Sequence, residues 1–266
     1  MPTVEFVFQE LNSLLGRRFK PQELADEISM LGVDMECIDT DKIIMEVFPN
    51  RPDLLSIEGF ARALKGTLDI EKGLPVYNLG DSGVKLFTDS SVNDVRPFIA
   101  AGIIREVSLT GETLVSLMDL QEKLHITHGR NRKKVAIGVH DLSRIKAPFF
   151  YKAVDPTEIS FIPLDMNERL NLNEILKKHP KGRDYAWTLE GLKRYPVILD
   201  KNKKVLSFPP IINGELTRVN ESSNELFIEV TGMDGRAVNQ ALNILMTSIV
   251  DRGGRAYAVE IMEKEK

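Results

Sequence analysis

Val205-Leu206-Ser207-Phe208-Pro209-Pro210-Ile211-Ile212-Asn213-Gly214, followed after a polar loop by Leu226-Phe227-Ile228-Glu229-Val230-Thr231-Gly232, is the stretch that decides how this chain is read. A run of strand length meets a double proline, which cannot donate to a central ladder, and Asn213-Gly214 then marks a turn. The second run alternates, with Leu226, Ile228 and Val230 on one side and Phe227, Glu229 and Thr231 on the other. Glu229 and Thr231 are therefore expected on one face, roughly 6–7 Å apart. Ser207, Asn213, Glu229 and Thr231 are hydrogen-bonding side chains set into apolar backbone, as in a pocket that reads a hydroxyl or an amine.

Outward from there, strand-like segments near 84–88, 97–106, 134–140, 149–153, 195–200, 204–208, 226–231 and 255–261 alternate with helical periodicity near 110–128, 171–178 and 235–251. The polar turn from Asp200 to Lys204 predicts an antiparallel hairpin. Earlier in the chain, Val4–Val7 is short and apolar, 8–16 and 21–31 have helical spacing, and Val33–Ile38 and Ile43–Phe48 read as strands, together a small α/β unit. Asn50-Arg51-Pro52-Asp53 opens a helix to about Lys65, with Pro52 in its first turn and Asn50 as its cap. Turn formers without periodicity fill 70–83 and mark a boundary. The expected fold is α+β: a small N-terminal α/β domain (1–75), then a larger mixed, mainly antiparallel β-sheet domain covered by helices (83–266).

With 266 residues, 42% hydrophobic and 28% charged, the chain has the makeup of a globular protein that buries one large core, or a large and a small one. No apolar run reaches membrane-spanning length, and Met1-Pro2-Thr3-Val4-Glu5 lacks the basic-then-apolar order of a secretory signal. The single cysteine, Cys37, excludes an internal disulfide and a Cys-rich metal site and fits a reducing cytosol. At a net charge of −4, any nucleic-acid contact has to come from local basic patches.

On the helix near 110–128, Leu114, Leu117, Met118, Leu124 and His125 form an apolar stripe with Gln121 in its middle. An inward amide left unpaired costs about 1–3 kcal/mol, so Gln121 either bonds a neighbouring strand or lines a wet cavity. Gly129 is placed as a helix C-cap. The basic run Arg130-Asn131-Arg132-Lys133-Lys134 after it reads as a solvated turn or as a phosphate clamp. His125 and His128 form a His-x-x-His pair with only the remote His140 and His179 as further ligands, the basis of a metal-dependent hydrolase reading. His140-Asp141 reads as a strand-end polar pair or an acid–base pair, and Asp234 as a helix cap. Gly-x-Gly-x-x-Gly, the Gly-Lys-Ser/Thr phosphate loop and Gly-x-Ser-x-Gly do not occur. Any catalysis is therefore expected to position water and substrate without a covalent intermediate.

Four motifs occur in order: Asn50-Arg51-Pro52-Asp53-Leu54-Leu55-Ser56-Ile57-Glu58-Gly59, Leu120-Gln121-Glu122-Lys123-Leu124, Val135-Ala136-Ile137-Gly138-Val139-His140-Asp141, and Ser207 to Gly214. Together they resemble the N-terminal half of the phenylalanyl-tRNA synthetase beta subunit of archaeal and eukaryal type, over essentially the whole chain. The resemblance implies a fragment that stops before the subunit's later, catalytic-like domains. It implies an editing domain that hydrolyses tyrosine wrongly esterified to tRNA(Phe), in the cytoplasm and away from membranes. The implied partners are that tRNA, the synthetase alpha subunit and the remaining C-terminal part of the beta subunit. No cofactor is implied for the fragment; ATP and magnesium serve only the whole synthetase.

Carried over position by position, the resemblance makes Ile198, Ser207, Glu229 and Thr231 the residues that bind the substrate side chain. Some relatives have Asp where Glu229 stands, and Leu is frequent at the position of Ile198. Gln121, Asn213 and Arg132 match positions near the hydrolysed ester or the tRNA terminus. Gln121 and Asn213 are then the catalytic pair, holding a water, and Arg130, Arg132 and Lys133 the tRNA contacts. Relatives can have unbroken arginines where Asn131 interrupts this run. The competing reading is a non-catalytic tRNA-binding and subunit-docking module; in both, the N-terminal unit is a scaffold or docking element.

Overall fold

The structure is a computed structural model describing residues 2–263. Up to Thr67 the chain builds an antiparallel sheet, order β1-β3-β2, from β1 (Thr3–Val7), β2 (Asp34–Ile38) and β3 (Lys42–Glu46). It is packed with α1 (Phe8–Leu15), α2 (Pro21–Met30) and α3 (Ile57–Thr67). Val4 and Phe6 of β1 and Ile43 and Met45 of β3 alternate into a core shared with Leu11, Leu15, Leu24, Ile28, Phe60 and Leu64 of the helices. Pro52 opens a separate 3-10 turn, Pro52–Leu55, and the cap of α3 is Ser56 rather than Asn50. Ser56 Oγ accepts from the Gly59 N–H at 2.9 Å. The chain folds back so closely that a Cβ on Gly59 would lie 2.0 Å from the Asp53 carbonyl oxygen.

The larger sheet has nine strands. They are β4 (Leu79–Thr88), β5 (Phe98–Arg105), β6 (Val135–Asp141), β7 (Phe149–Val154), β10 (Tyr195–Leu199), β11 (Val205–Phe208), β12 (Ile212–Asn213), β13 (Glu225–Gly232) and β14 (Arg255–Glu263). Two short strands, β8 (Ser160–Phe161) and β9 (Leu170–Asn171), pair apart from it. The accompanying helices are α4 (Gly111–Ile126), α5 (Leu172–Lys178), α6 (Pro180–Tyr185) and α7 (Gly235–Val250). The strand order is β12-β11-β10-β7-β4-β14-β5-β13-β6, with β4 parallel to both β14 and β7 and the other pairings antiparallel. The expected α+β class with a mixed, mainly antiparallel sheet holds, as does the hairpin at Asp200, whose Oδ1 accepts from the Asn202 and Lys204 amides.

A twisted sheet of this width curls on itself, and its end strands come together. Asn213 Nδ2 of β12 donates to the Val139 carbonyl of β6 at 3.3 Å. The barrel is thus completed by a side chain at a seam, with no backbone ladder between its edges. Leu226, Ile228 and Val230 of β13 face outward into the core formed with α4, α7 and the N-terminal unit, while Phe227 faces inward with Phe149, Tyr151, Ile198 and Leu206. Arg252, just beyond α7, fastens the N-terminal unit by gripping Glu58 and, at 2.7 Å, Glu10.

Two expectations about α4 are corrected. Its buried stripe is Leu117, Leu120, Leu124 and His125, which leaves Met118 exposed, because the helix rolls its i, i+3, i+7, i+8 row toward β6. Its C-cap is Thr127, and the left-handed residues beyond it are Arg130, Asn131 and Arg132, with φ of 48°, 53° and 66°, rather than Gly129.

Gly59→Ala is expected to lower stability by about 1–3 kcal/mol or more, since backbone rather than a flexible side chain stands in the way. Ser56→Ala, which removes the cap alone, is expected to cost about 1 kcal/mol. Urea unfolding of the two variants checks the order: the midpoint of Gly59→Ala falls further, at an unchanged slope.

Candidate functional site

Strand register brings two rows of inward side chains to one level of the barrel. Tyr151 is opposite Ile198, Ile198 opposite Ser207, and Ser207 opposite Asn213. On the other wall Ala101 is opposite Glu229, and Glu229 opposite Gly138. Directly opposed residues share a face. The rows meet where Ser207 Oγ donates to Glu229 Oε1 at 2.9 Å. Gly138 makes the room, for a Cβ there would lie 2.3 Å from Glu229 Oε1 and 2.7 Å from His140 Nε2.

His140, two residues along β6, faces the same interior and is fully buried. Its Nε2 is 3.7 Å from Glu229 Oε1, and its Nδ1 is 2.8 Å from Thr217 Oγ1. The Thr217 hydroxyl donates to the Gly214 carbonyl at 3.2 Å. In the tautomer that carries its proton on Nδ1, that oxygen accepts from Nδ1–H and Nε2 is left as an acceptor. Glu229 Oε2 and His140 Nε2 are buried without a hydrogen-bond partner among the described residues. Buried polar atoms are nearly always paired, so two orphaned acceptors on neighbouring side chains call for a donor between them. Asp141 points elsewhere, to Ser143 and Ser223, and is the strand-end member of the His140-Asp141 pair.

Thr231 reaches the same interior but is held by Arg96, whose Nε donates to Thr231 Oγ1 at 2.9 Å and whose Nη2 donates to the Thr231 carbonyl at 2.8 Å. The other Arg96 donors go to the carbonyls of Arg132 and Lys133. Burial pulls the Arg96 guanidinium down to about 10, opposed by the attraction of Tyr151 and Glu229, so it remains charged at neutral pH. The Tyr151 hydroxyl donates to the Arg96 carbonyl at 2.7 Å. A buried cation therefore faces a buried carboxylate across the barrel interior.

At the seam, three side chains bond outward backbone groups of edge strand β6. His125 Nε2 accepts the Ile137 N–H at 2.8 Å, Gln121 Nε2 donates to the Ile137 carbonyl at 2.8 Å, and Asn213 takes the Val139 carbonyl. With their NH2 groups anchored, Gln121 and Asn213 turn their amide oxygens away from the strand, as acceptors held two residues apart along β6. Just outside, Glu122 accepts from Arg132 Nη2 at 2.8 Å and Lys181 Nζ at 3.2 Å. His125 and Arg132 together hold the Glu122 carboxyl far below the ordinary carboxylate range. Arg132 also donates to the Ile211 carbonyl at 2.9 Å.

The expected residues thus fall into three groups. Ile198, Ser207, Glu229 and Thr231 line the interior; Gln121 and Asn213 stand at the seam; and Arg132 is buried behind it, while Arg130 and Lys133 are exposed. His125 and His128 do not converge on one point: His128 Nε2 lies 2.9 Å from the Ala237 carbonyl, and no group of three or more potential metal ligands occurs among the described residues. Sequence reasoning missed Gly138 and Arg96, and paired His140 with Asp141 rather than with Glu229. For Gly138 and the inward aim of His140 a signal existed, since alternation along Val135–Asp141 puts both on one face.

A B3/4 domain is matched over residues 108–263, more than half of the chain, which gives the class of the barrel. The phenylalanine–tRNA ligase beta subunits of Methanococcoides burtonii and Archaeoglobus fulgidus are 46% and 47% identical to this chain, each over 262 residues and 98% of its length. An N-terminal fragment of the phenylalanyl-tRNA synthetase beta-subunit from Pyrococcus horikoshii has a TM-score of 0.92 at 38% identity, covering 99% of this chain and 77% of that one. The chain belongs to the phenylalanine–tRNA ligase beta-subunit family and corresponds to its N-terminal part. It spans about half the length of the curated relatives it matches, 48% and 47% for the two above.

Burial pushes the His125 imidazole down to about 4, which agrees with its Nε2 accepting a backbone N–H. An unfolded histidine titrates near 6.5. Between these values the unfolded chain binds a proton that the native one does not, so stability is expected to fall as pH drops from about 6.5 to about 4, by roughly 3 kcal/mol. His125→Gln, whose Oε1 can still take the Ile137 N–H, is expected to lose that contribution. Denaturant unfolding of both proteins at pH 6.5 and 4.5 checks it; equal acid slopes would refute the assignment.

Proposed function

We propose that this chain carries the proofreading site of a phenylalanine–tRNA ligase and hydrolyses the ester of tyrosine mischarged onto tRNA(Phe) with a positioned water. The observation that carries the reading is the buried Glu229 carboxylate: Oε1 accepts from Ser207 and lies 3.7 Å from His140 Nε2, while Oε2 and that Nε2 have no hydrogen-bond partner among the described residues. Tyrosine and phenylalanine differ by one hydroxyl. A phenol O–H supplies the missing donor to Glu229 or His140, and the Thr231 hydroxyl, which accepts from Arg96 through its oxygen, keeps its own proton to donate. Phenylalanine leaves these groups unpaired, and sites built around a substrate hydroxyl reject the analogue lacking it by about 10⁴ or more.

The tyrosyl group reaches this interior through the seam between β6 and β12, which among the described residues is bridged by the 3.3 Å bond of the Asn213 side chain. With the ring inside, the ester sits at the seam beside the Gln121 and Asn213 amide oxygens. Two fixed acceptors hold a water by its hydrogens and aim its lone pair at the carbonyl carbon; an aminoacyl ester is activated, so orientation supplies much of the acceleration. The intact assembly adds tRNA(Phe), the alpha subunit and the rest of the beta subunit in the cytoplasm, with ATP and magnesium serving the ligase reaction elsewhere. No helix among the described residues is long and apolar enough to cross a membrane.

Deacylation of tyrosyl-tRNA(Phe) by the purified chain tests this. Ser207→Ala and Glu229→Gln are expected to lower kcat/KM by about 10- to 100-fold, the worth of a hydrogen bond to a charged group, and phenylalanyl-tRNA(Phe) is expected to be spared by the wild type. Gln121→Ala and Asn213→Ala are expected to lower kcat by about 100-fold. Full activity in Glu229→Gln would remove the hydroxyl-reading role, and full activity in both amide variants would remove the water-positioning one.

A further inference from the structure

Trp187, the one tryptophan of the chain, lies in the 3-10 turn Ala186–Leu189 directly after α6, with 46% of its surface exposed. Cations and rings alternate around it. Lys133 Nζ lies 5.9 Å from the Trp187 ring centroid, the Arg132 guanidinium 4.5 Å over the Tyr185 ring, and Lys181 Nζ 5.7 Å from that same ring. These contacts join the segment after α6 to the left-handed turn at Arg130–Arg132, and Glu122 braces both by accepting from Arg132 and Lys181.

The surface is continuous with the seam. Glu122 follows Gln121 in α4, and Arg132 donates to the carbonyl of Ile211, two residues before Asn213. Arg132 and Lys181 are paired with Glu122, and Lys134 with Asp234. Arg130 and Lys133 are exposed and enter no ion pair among the described residues, a local positive charge on a chain of net −4.

We propose that Trp187, with Lys133 beside its ring and Arg130 in the same basic turn as Lys133, is a stacking platform for an unpaired base near the 3′ end of a single-stranded RNA. The inference rests on the reading that the seam receives an aminoacylated RNA end, and adds the surface that holds the nucleosides preceding the esterified one. An indole face accepts any base, and exposed cations beside it take the flanking phosphates. Lys133 then exchanges its contact with the ring for one with a phosphate, so binding is salt-sensitive while stacking is sequence-tolerant. Trp187 is a positioning residue: it touches the RNA but not the reacting ester.

Because Trp187 is the only tryptophan, its fluorescence reports stacking directly. A short RNA oligonucleotide ending in CCA is expected to quench it, with affinity falling as salt rises, and Lys133→Ala is expected to reduce the salt slope by about one. In deacylation of tyrosyl-tRNA(Phe), Trp187→Ala is expected to raise KM roughly 10- to 100-fold with kcat nearly unchanged, and Trp187→Phe to restore most of the loss. Hydrolysis with unchanged KM in Trp187→Ala, and no quenching in the wild type, would overturn the platform while the proofreading reading stands. Quenching by a protein that hydrolyses no tyrosyl-tRNA would overturn the proofreading reading and leave the platform in place. Absence of both would overturn both.

Discussion

The structure is built around a carboxylate inside a barrel. Glu229 is 2% exposed, and burying an ionised group costs several kcal/mol unless it is paired and hydrogen-bonded. The surrounding sequence supplies that compensation. Ser207 crosses the interior to donate to it, and Gly138 gives up a side chain to make room for it. Arg96 brings a counter-charge, held in place through Thr231 and by its own carbonyl bond from Tyr151. One of the two carboxylate oxygens remains unpaired. Apolar side chains would stabilise the barrel at lower cost at this position, so the incomplete satisfaction supports the binding role proposed for Glu229.

The second constraint is the seam. An exposed sheet edge invites pairing with other chains, and a nine-stranded sheet that curls without closing has two edges facing each other. Here β12 is two residues long and β6 has both outward groups of Ile137 and the Val139 carbonyl taken by His125, Gln121 and Asn213. Side chains can release one bond at a time, whereas a backbone ladder opens as a unit. The arrangement that blunts the edge also sets two amides and a neutral imidazole along the seam, the route proposed for the tyrosyl group.

Much of this was legible in local periodicity. The alternation of Leu226–Thr231 gave the correct inner and outer faces because β13 lies between two strands and its register cannot slip without exchanging them. Gln121 stood out as a polar interruption of an apolar stripe, and the strand bond proposed for it is present. What was not legible depends on distant partners. Arg96 lies in a stretch without periodicity, and its role depends on carbonyls of residues 132 and 133 that only the sheet order brings near. The cap of α3 shifted from Asn50 to Ser56 because the proline made a 3-10 turn of its own first. β12, at two residues, and α6, at six, are too short to show a period.

Arg96 also joins the interior to the surface. Left-handed conformations cost about 1–2 kcal/mol for each non-glycine residue, and Arg130, Asn131 and Arg132 adopt positive φ in succession. The turn is retained because its groups are fastened from two sides. Amides of Asn131 and Arg132 donate to the carbonyls of Ile126 and His125 at the end of α4, and Arg96 donates to the carbonyls of Arg132 and Lys133 from within. The guanidinium that faces Glu229 therefore also sets the direction in which Arg130 and Lys133 leave the turn. A lysine at position 96 could keep the charge but not this geometry, since a single ammonium has no planar fork to reach Thr231 and both carbonyls at once. The electrostatics of the barrel interior and the placement of the basic surface at its mouth are, on this argument, two consequences of one buried side chain.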